Sequence, residues 1–507
     1  MSSDHTSGSR PVALANDPGS TTRKMLAISD KGSPELIRGK GPNGVFISAI
    51  YVEDGKFFFD ADALSLGAQK PEFYASGWKG SLGTGKKFIK DQFTADELEA
   101  IYIAHQREVA EKQLAVSLEG VPFYASRSHS VSDVGAAAMG RAIEKAGFKF
   151  GDFMSEQSAV VYGYMNRNNL ASRPNDLTYF VFDQGGWSQD CCVGVAGGGR
   201  IDIKGTRSIP NVGGIEMSRR LKEFVLGKGA KLFGVKTIDE SKYDADTLFQ
   251  FQERVDLGKI NLTSHESVQF NVINQETGKV KSVAVTQREY HANVLDPLLK
   301  PMRECLDQTL ADAKMTVKDV EFLIGSGAPM ASKYMCNWLG EIFGRPMEPD
   351  VDSALAVIRG VAAYAFDDLT KQGKTKVITM PEPVEIFDLL PAMIAIMTHI
   401  DGSLDLFATP LFEKNTKVPS ETVQRFRLMH KDQDCVDIKI AQAPQAYAKL
   451  SDVKIIGNGR INNLPREQIM TDRLECRCKT KRGGLADVTV VDTISQQSTF
   501  ITAQILN

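Results

Sequence analysis

What this chain has little of narrows the field first. No apolar run approaches the length that crosses a bilayer, so no membrane span is expected. Net charge is nearly absent, −3 over 507 residues, which gives no electrostatic footing for nucleic acid or an anionic membrane. The opening MSSDHTSGSR has no apolar core, so it is not read as a signal peptide but as a disordered tail over 1–10. Cysteines are few and odd in number, seven, without framework spacing, which points to a reducing, cytoplasmic compartment. Neither the adjacent Cys191 and Cys192 nor the spaced Cys476 and Cys478 has partners at zinc-ligand spacing, and the His are scattered, so no metal is assigned to either. The segment Gly80–Lys87 nearly spells a P-loop. It fails as one, because Lys87 stands where a hydroxyl should hold magnesium and no apolar strand precedes it.

What is present is organised around a repeated turn. Leu177–Phe182 is a short apolar run rich in β-formers. Asp183 ends it, Gly185 and Gly186 make a turn, and Cys191–Ala196 is a second apolar run. An acidic residue before two glycines suits a phosphate and its metal: the backbone can come close, and the carboxylate can face the ion, usually through water. Alone this is an ordinary hairpin. A second copy lies near the N-terminus, where Pro11–Ala15 and Met25–Ile28 flank Asp17-Pro18-Gly19-Ser20-Thr21. Two such hairpins suggest duplicated lobes gripping a nucleotide's phosphates from both sides.

Between and after them the apolar period predicts helices over 94–118, 131–147, from Ser155 onward, 217–226, 243–261, 288–312, 333–343 and 353–366. Val212-Gly213-Gly214-Ile215-Glu216 enters one of these, and glycines at a helix start offer N–H groups to an anion or a sugar. Val268–Val285 reads as a hairpin. A composition change over 369–384, with Pro381 and Pro383, marks a boundary. The greasy run Ile386–Pro391 is either a buried strand or a docking linker. From Met393 to the end, alternating strands such as Val436–Ile440 and Leu474–Cys478 predict an antiparallel β-sandwich. The size of the chain suits about two or three domains.

From about Val12 to Ile505 this order of motifs resembles the heat-shock protein 70 (DnaK-type) chaperone family. The resemblance implies an α/β actin-like ATPase domain, with ribonuclease H-like duplicated lobes, followed by an antiparallel β-sandwich domain. The divisions would be 11–383 for nucleotide, 384–391 for the linker and 392–507 for a substrate-binding-like sandwich. The sequence stops at Asn507, so the resemblance is to a form without the helical lid. Implied cofactors are ATP/ADP and Mg2+; implied partners are unfolded or partner polypeptides and a J-domain co-chaperone or nucleotide-exchange factor. The family's first phosphate turn matches Asp17, Gly19, Ser20 and Thr21. Its second matches Asp183, Gly185, Gly186, Ser188 and Asp190. Its catalytic lysine falls on Lys79 and its magnesium-water glutamate on Glu156, so that Asp17, Glu156 and Asp183 would hold the ion through water, with Lys79, Glu156, Asp183 and Ser188 as the catalytic set. Gly213 and Gly214 fall near the sugar, Asp256 and Lys259 near ribose and adenine, and Gly325 and Ser326 in the last nucleotide turn. Phe387–Leu390 resembles the linker, and Glu413–Pro419 a segment of the peptide-binding domain.

Several residues depart from the family. Trp187 replaces a turn glycine, Pro18 removes a backbone donor, and Ile260 and Pro329 stand where arginines are usual. Binding of ATP is therefore expected more firmly than its hydrolysis. The rival readings are a scaffold protein that kept the fold and lost turnover, such as a viral or assembly component, and a polymerising actin-like ATPase, which the sandwich argues against. The bland alternatives are a solvated loop lysine for Lys79, a helix-start acid for Glu156 and a surface lysine for Lys259.

Overall fold

The computed structural model describes residues 10–31, 33–41, 44–128, 131–167, 175–347, 353–374, 385–390, 392–399, 405–466, 471–480 and 485–504. Most of the expected tail, and the Pro381–Pro383 boundary, lie outside these residues.

Two mixed sheets are built on one plan. In the first, strands Ala13–Pro18 and Thr22–Ile28 form an antiparallel hairpin. Pro122–Arg127 runs parallel to its first strand, Lys149–Ser155 parallel to that, and Pro34–Ile37 antiparallel to its second strand. In the other, Leu177–Gln184 and Ser188–Gly197 form the hairpin. Phe322–Ser326 lies parallel to its first strand and Arg200–Pro210 antiparallel to its second. The duplication expected from the two acidic turns is thus a duplication of sheet topology.

Two helices fill the space between these sheets. Glu156–Arg167 and Ala356–Lys371 contribute Val160, Val161, Met165, Ile358, Val361 and Phe366 to a core that also takes Ala13, Leu26, Val181 and Ile203 from the strands. Burying such side chains is worth roughly 1.5–3 kcal/mol each. The helices cross at Gly163 and Gly360, where backbone meets backbone: a Cβ on Gly360 would lie 1.7 Å from the Ala159 carbonyl oxygen. The outer face of the first sheet is covered by Ala95–Leu114 and Asp133–Lys145, that of the second by Gly214–Phe233 and neighbouring helices. Thr94 caps the first of these with a reciprocal Glu97 capping box.

The helix expected over 288–312 is interrupted. Gln287–Tyr290 is α-helical, His291–Leu295 widens to a π turn, and Asp296–Asp312 resumes. Pro297 and Pro301 lie within the resumed helix, and neither ring nitrogen can donate to the turn before it.

The C-terminal strands form two four-stranded antiparallel sheets. Their facing sides share one core, with Ile394, Leu411, Ile438 and Ile440 against Cys476, Cys478, Val488 and Ile501. Glu385–Leu389 is a strand. It runs parallel to Arg200–Asp202 through residues 385–387 and antiparallel to Lys417–Val418 through 388–389. The second mixed sheet therefore continues into the C-terminal part. Lys417 also reaches the buried Asp202, which Lys204 contacts as well. All seven cysteines are free thiols. Among the described residues no helix is long and apolar enough to cross a membrane.

Candidate functional site

The two hairpins bring their turns together. A Cβ on Gly186 would lie 2.6 Å from Thr21 Oγ1, so the glycine turn of one half touches the hydroxyl turn of the other. Around this junction the structure gathers Asp17, Lys79, Glu156, Asp183, Ser188 and Asp190, and it adds Lys24.

Lys79 is placed by the turn Trp78–Ser81, which the left-handed Gly77 introduces. The turn is fixed by its neighbour. Trp78 Nε1 donates to Glu99 Oε2 at 2.8 Å, while Arg23 donates to both oxygens of Glu99 at 2.7 Å. The Arg23 guanidinium also lies against the rings of Trp78 and Tyr102, with centroids 5.2 and 4.8 Å away. Arg23 and Glu99 are fully buried, and such a pair needs further hydrogen bonds to offset its desolvation; Arg23 Nε donates to Ser48 Oγ and Glu99 accepts from Trp78. Lys79 then meets Glu156 at 3.1 Å. Glu156 opens its helix, with Ser155 Oγ accepting the Ser158 N–H at 3.1 Å as the expected N-cap.

Asp183 and Asp190 lie opposite each other in the hairpin register. With Glu156 they form a set that offers one carboxylate oxygen each, the three lying within 4.8 Å of one another. Ser188 Oγ donates to Asp190 Oδ2 at 3.0 Å, while Asp190 Oδ1 is buried without a partner. Burial first, and then the charges of Glu156 and Asp190, push Asp183 up to about 8. Burial and Glu156 push Asp190 up to about 6. An orphaned carboxylate oxygen beside acids this reluctant to ionise fits a divalent cation, which would supply the missing positive charge.

Asp17 is in the opposite condition. Its Oδ2 takes the Lys24 ammonium at 2.8 Å and its Oδ1 the Ser126 hydroxyl at 2.9 Å. Burial alone would raise it, but Lys24 overcomes that and holds it below the usual carboxylate range. Lys24 was not among the residues singled out in the sequence, and its position seven residues beyond Asp17 matches that of Asp190 beyond Asp183. That shared offset was the available signal.

The backbone donors expected at the helix start to receive an anion are already spent. Gly213 N bonds to Trp187 O at 3.4 Å, Gly214 N to Gly185 O at 3.1 Å and Ile215 N to Gly186 O at 2.8 Å. The cause is that the second turn packs directly on the start of the Gly214–Phe233 helix, and its carbonyls cap that helix in place of a ligand. Gly185 N and Gly19 N are likewise bonded, to Ser188 O and Asp17 O. Asp256 and Lys259 do come to Gly214, but their polar atoms are partnered: Lys259 Nζ donates to Gly214 O at 2.8 Å and to Ser218 Oγ at 2.7 Å, and Ser218 bonds Asp256. Ser326 is buried opposite Asp183 in the register, whereas Gly325 faces Met330 and Met347 and lines a separate cavity of about 630 Å³. Ser20 is half-buried at the first turn. Trp187 and Ile260 are exposed, and Pro329 sits in the turn Ala328–Ala331.

The Hsp70 protein family profile matches residues 76–506. The chain belongs to the Hsp70 family. The matched span takes in Lys79, Glu156, Asp183 and the sandwich strands, and begins after the Asp17 hairpin. A chaperone protein DnaK from Methanothermobacter thermautotrophicus is 23% identical over 95% of this chain and 79% of its own length. One from Mycoplasmopsis synoviae is 22% identical over 98% of this chain and 79% of its own length. A third, from Cenarchaeum symbiosum, is 23% identical over 66% of this chain and 49% of its own length. At this distance the Hsp70 relationship fixes the family, and the chemistry rests on this chain's own residues.

Proposed function

We propose that this protein is an Hsp70-type molecular chaperone that binds ATP with Mg2+ between its two hairpin turns and couples the nucleotide state to polypeptide binding by the C-terminal sandwich. The observation that carries the reading is the convergence of Lys79, Glu156, Asp183 and Asp190 where the two turns touch. Glu156, Asp183 and Asp190 would hold the ion, directly or through water. A bound Mg2+ would neutralise phosphate charge and orient a water. Lys79, held by Glu156 and by the Trp78–Glu99–Arg23 frame, would place an ammonium on the terminal phosphate, and Ser20 and Ser188 would offer hydroxyls. Gly213, Gly214, Asp256 and Lys259 would border the nucleoside.

The nucleotide-binding part would span 11–383, the linker 384–391 and the sandwich 392–507. The Glu385–Leu389 strand, shared between Arg200–Asp202 and Lys417–Val418, offers the route of coupling, because any shift of the second sheet strains its hydrogen bonds to the sandwich. Clients would be unfolded polypeptides, with a J-domain protein or exchange factor as regulators.

The test measures ATP binding by calorimetry, ATP turnover, and the anisotropy of a labelled unfolded peptide with and without ATP. Lys79→Ala should abolish turnover while leaving the fold intact by circular dichroism. If the full chain binds neither ATP nor peptide, the proposal fails and a scaffold role takes its place.

A further inference from the structure

The two hairpins agree in topology and turn position and part company at one cross-strand site. Asp183 faces Asp190. Asp17, the equivalent acid, faces Lys24. In the second hairpin the pair of acids leaves Asp190 Oδ1 buried and unpartnered. In the first, both oxygens of Asp17 are taken, one by the Lys24 ammonium and one by Ser126. The Lys24–Asp17 pair is itself nearly enclosed, at 14% and 8% side-chain exposure. A divalent ion could reach Asp17 only by displacing a buried ammonium.

We infer that Lys24 is a tethered cation that occupies Asp17, confines a divalent ion to the Glu156–Asp183–Asp190 side, and gives a polyphosphate a second positive contact beside Lys79. This rests on the nucleotide reading above. Four carboxyls then share two resident ammoniums and one exchangeable ion. The consequence is that a triphosphate finds positive charge in the cleft even when divalent ions are removed.

Two measurements on the full chain test this. In the first, Mn2+ alone is titrated into the protein without nucleotide. Lys24→Met removes a nearby positive charge and frees an acid, so Mn2+ should bind about tenfold more tightly; Asp190→Asn should weaken it by about tenfold. The neutral pair Asp17→Asn/Lys24→Met guards against misfolding of a variant with an unpaired buried acid, and should bind Mn2+ within about threefold of the wild type. In the second, ATP binding is measured in EDTA and in Mg2+. The wild type should retain binding in EDTA, and both Lys24 variants should lose about tenfold there and far less in Mg2+. Weaker Mn2+ binding by Lys24→Met, a loss in the neutral double variant equal to that of Asp190→Asn, or ATP binding in EDTA that ignores Lys24 would each overturn the inference. If the wild type binds no ATP in either buffer, the nucleotide reading fails, and the Mn2+ titration still decides where the ion goes.

Discussion

Asp17 and Asp183 hold the same place in two hairpins of the same topology, yet one is a satisfied anion and the other an acid pushed up to about 8. The difference lies in their neighbours across the strand pair. The first hairpin presents Arg23 and Lys24 where the second presents Gln189 and Asp190. Arg23 anchors a closed network with Glu99 and Trp78, while Gln189 keeps a buried oxygen without a partner. One half is electrostatically complete as folded; the other is left wanting a cation. A duplicated fold can thus divide its labour by charge alone, with the first half providing rigidity and resident positive charge and the second a place for an exchangeable ion.

The largest effect that would break this comparison comes from the network. Glu99→Ala strands the buried Arg23 and should cost about 3–5 kcal/mol in chemical denaturation. Gln189→Leu, at the place equivalent to Arg23, should cost less than about 1 kcal/mol, because its side-chain oxygen is buried without a partner and gains nothing from the fold. Equal costs would mean that the halves are not divided as described. Next, Asp190→Lys writes the first hairpin's pattern into the second. Calorimetry should show Mn2+ affinity reduced by about a hundredfold, and unchanged affinity would remove Asp190 from the ion site.

A pH titration of stability sharpens the contrast. Asp183 at about 8 and Asp190 at about 6 stand above their ordinary value of 3.8. Between 3.8 and about 8 the folded chain keeps protons that the unfolded chain has lost, so without divalent ions its stability should fall as pH rises through that window. Asp17 has the opposite sign: its contribution is present above its ordinary value and is lost as pH falls through its lower folded value. Mn2+ should therefore raise the melting temperature more at pH 8 than at pH 6, and a gain independent of pH would contradict the protonated state of the second hairpin. The smallest effect belongs to Lys417→Met. Its exposed end limits the Lys417–Asp202 pair to about 1 kcal/mol or less, read as a small shift in the urea midpoint.

The hairpins, the helix starts and the sandwich were legible because their signals are local. Thr94 with Glu97, Ser155 before its helix, and the alternation at Leu474–Cys478 each carry their meaning within a few residues. The break at His291–Leu295 was missed although Pro297 and Pro301 announced it, because apolar spacing ran on through them. Lys24 was missed for a different reason. Its role depends on strand register, which turns a charge on one strand into the partner of an acid on the other. The spent N–H groups of Gly214 and Ile215 were invisible for the same reason at longer range, since nothing near them in sequence says that the Gly185–Trp187 carbonyls will lie above them.

The crossing of Gly163 over Gly360 carries a mechanical consequence. Where helices normally meet, interlocked side chains resist sliding like teeth; here bare main chain rests on bare main chain between the two sheets. Such a joint can swivel with little to unmesh, yet it has no slack for added volume. A single methyl group at 360 would wedge the two halves of the molecule apart at their pivot.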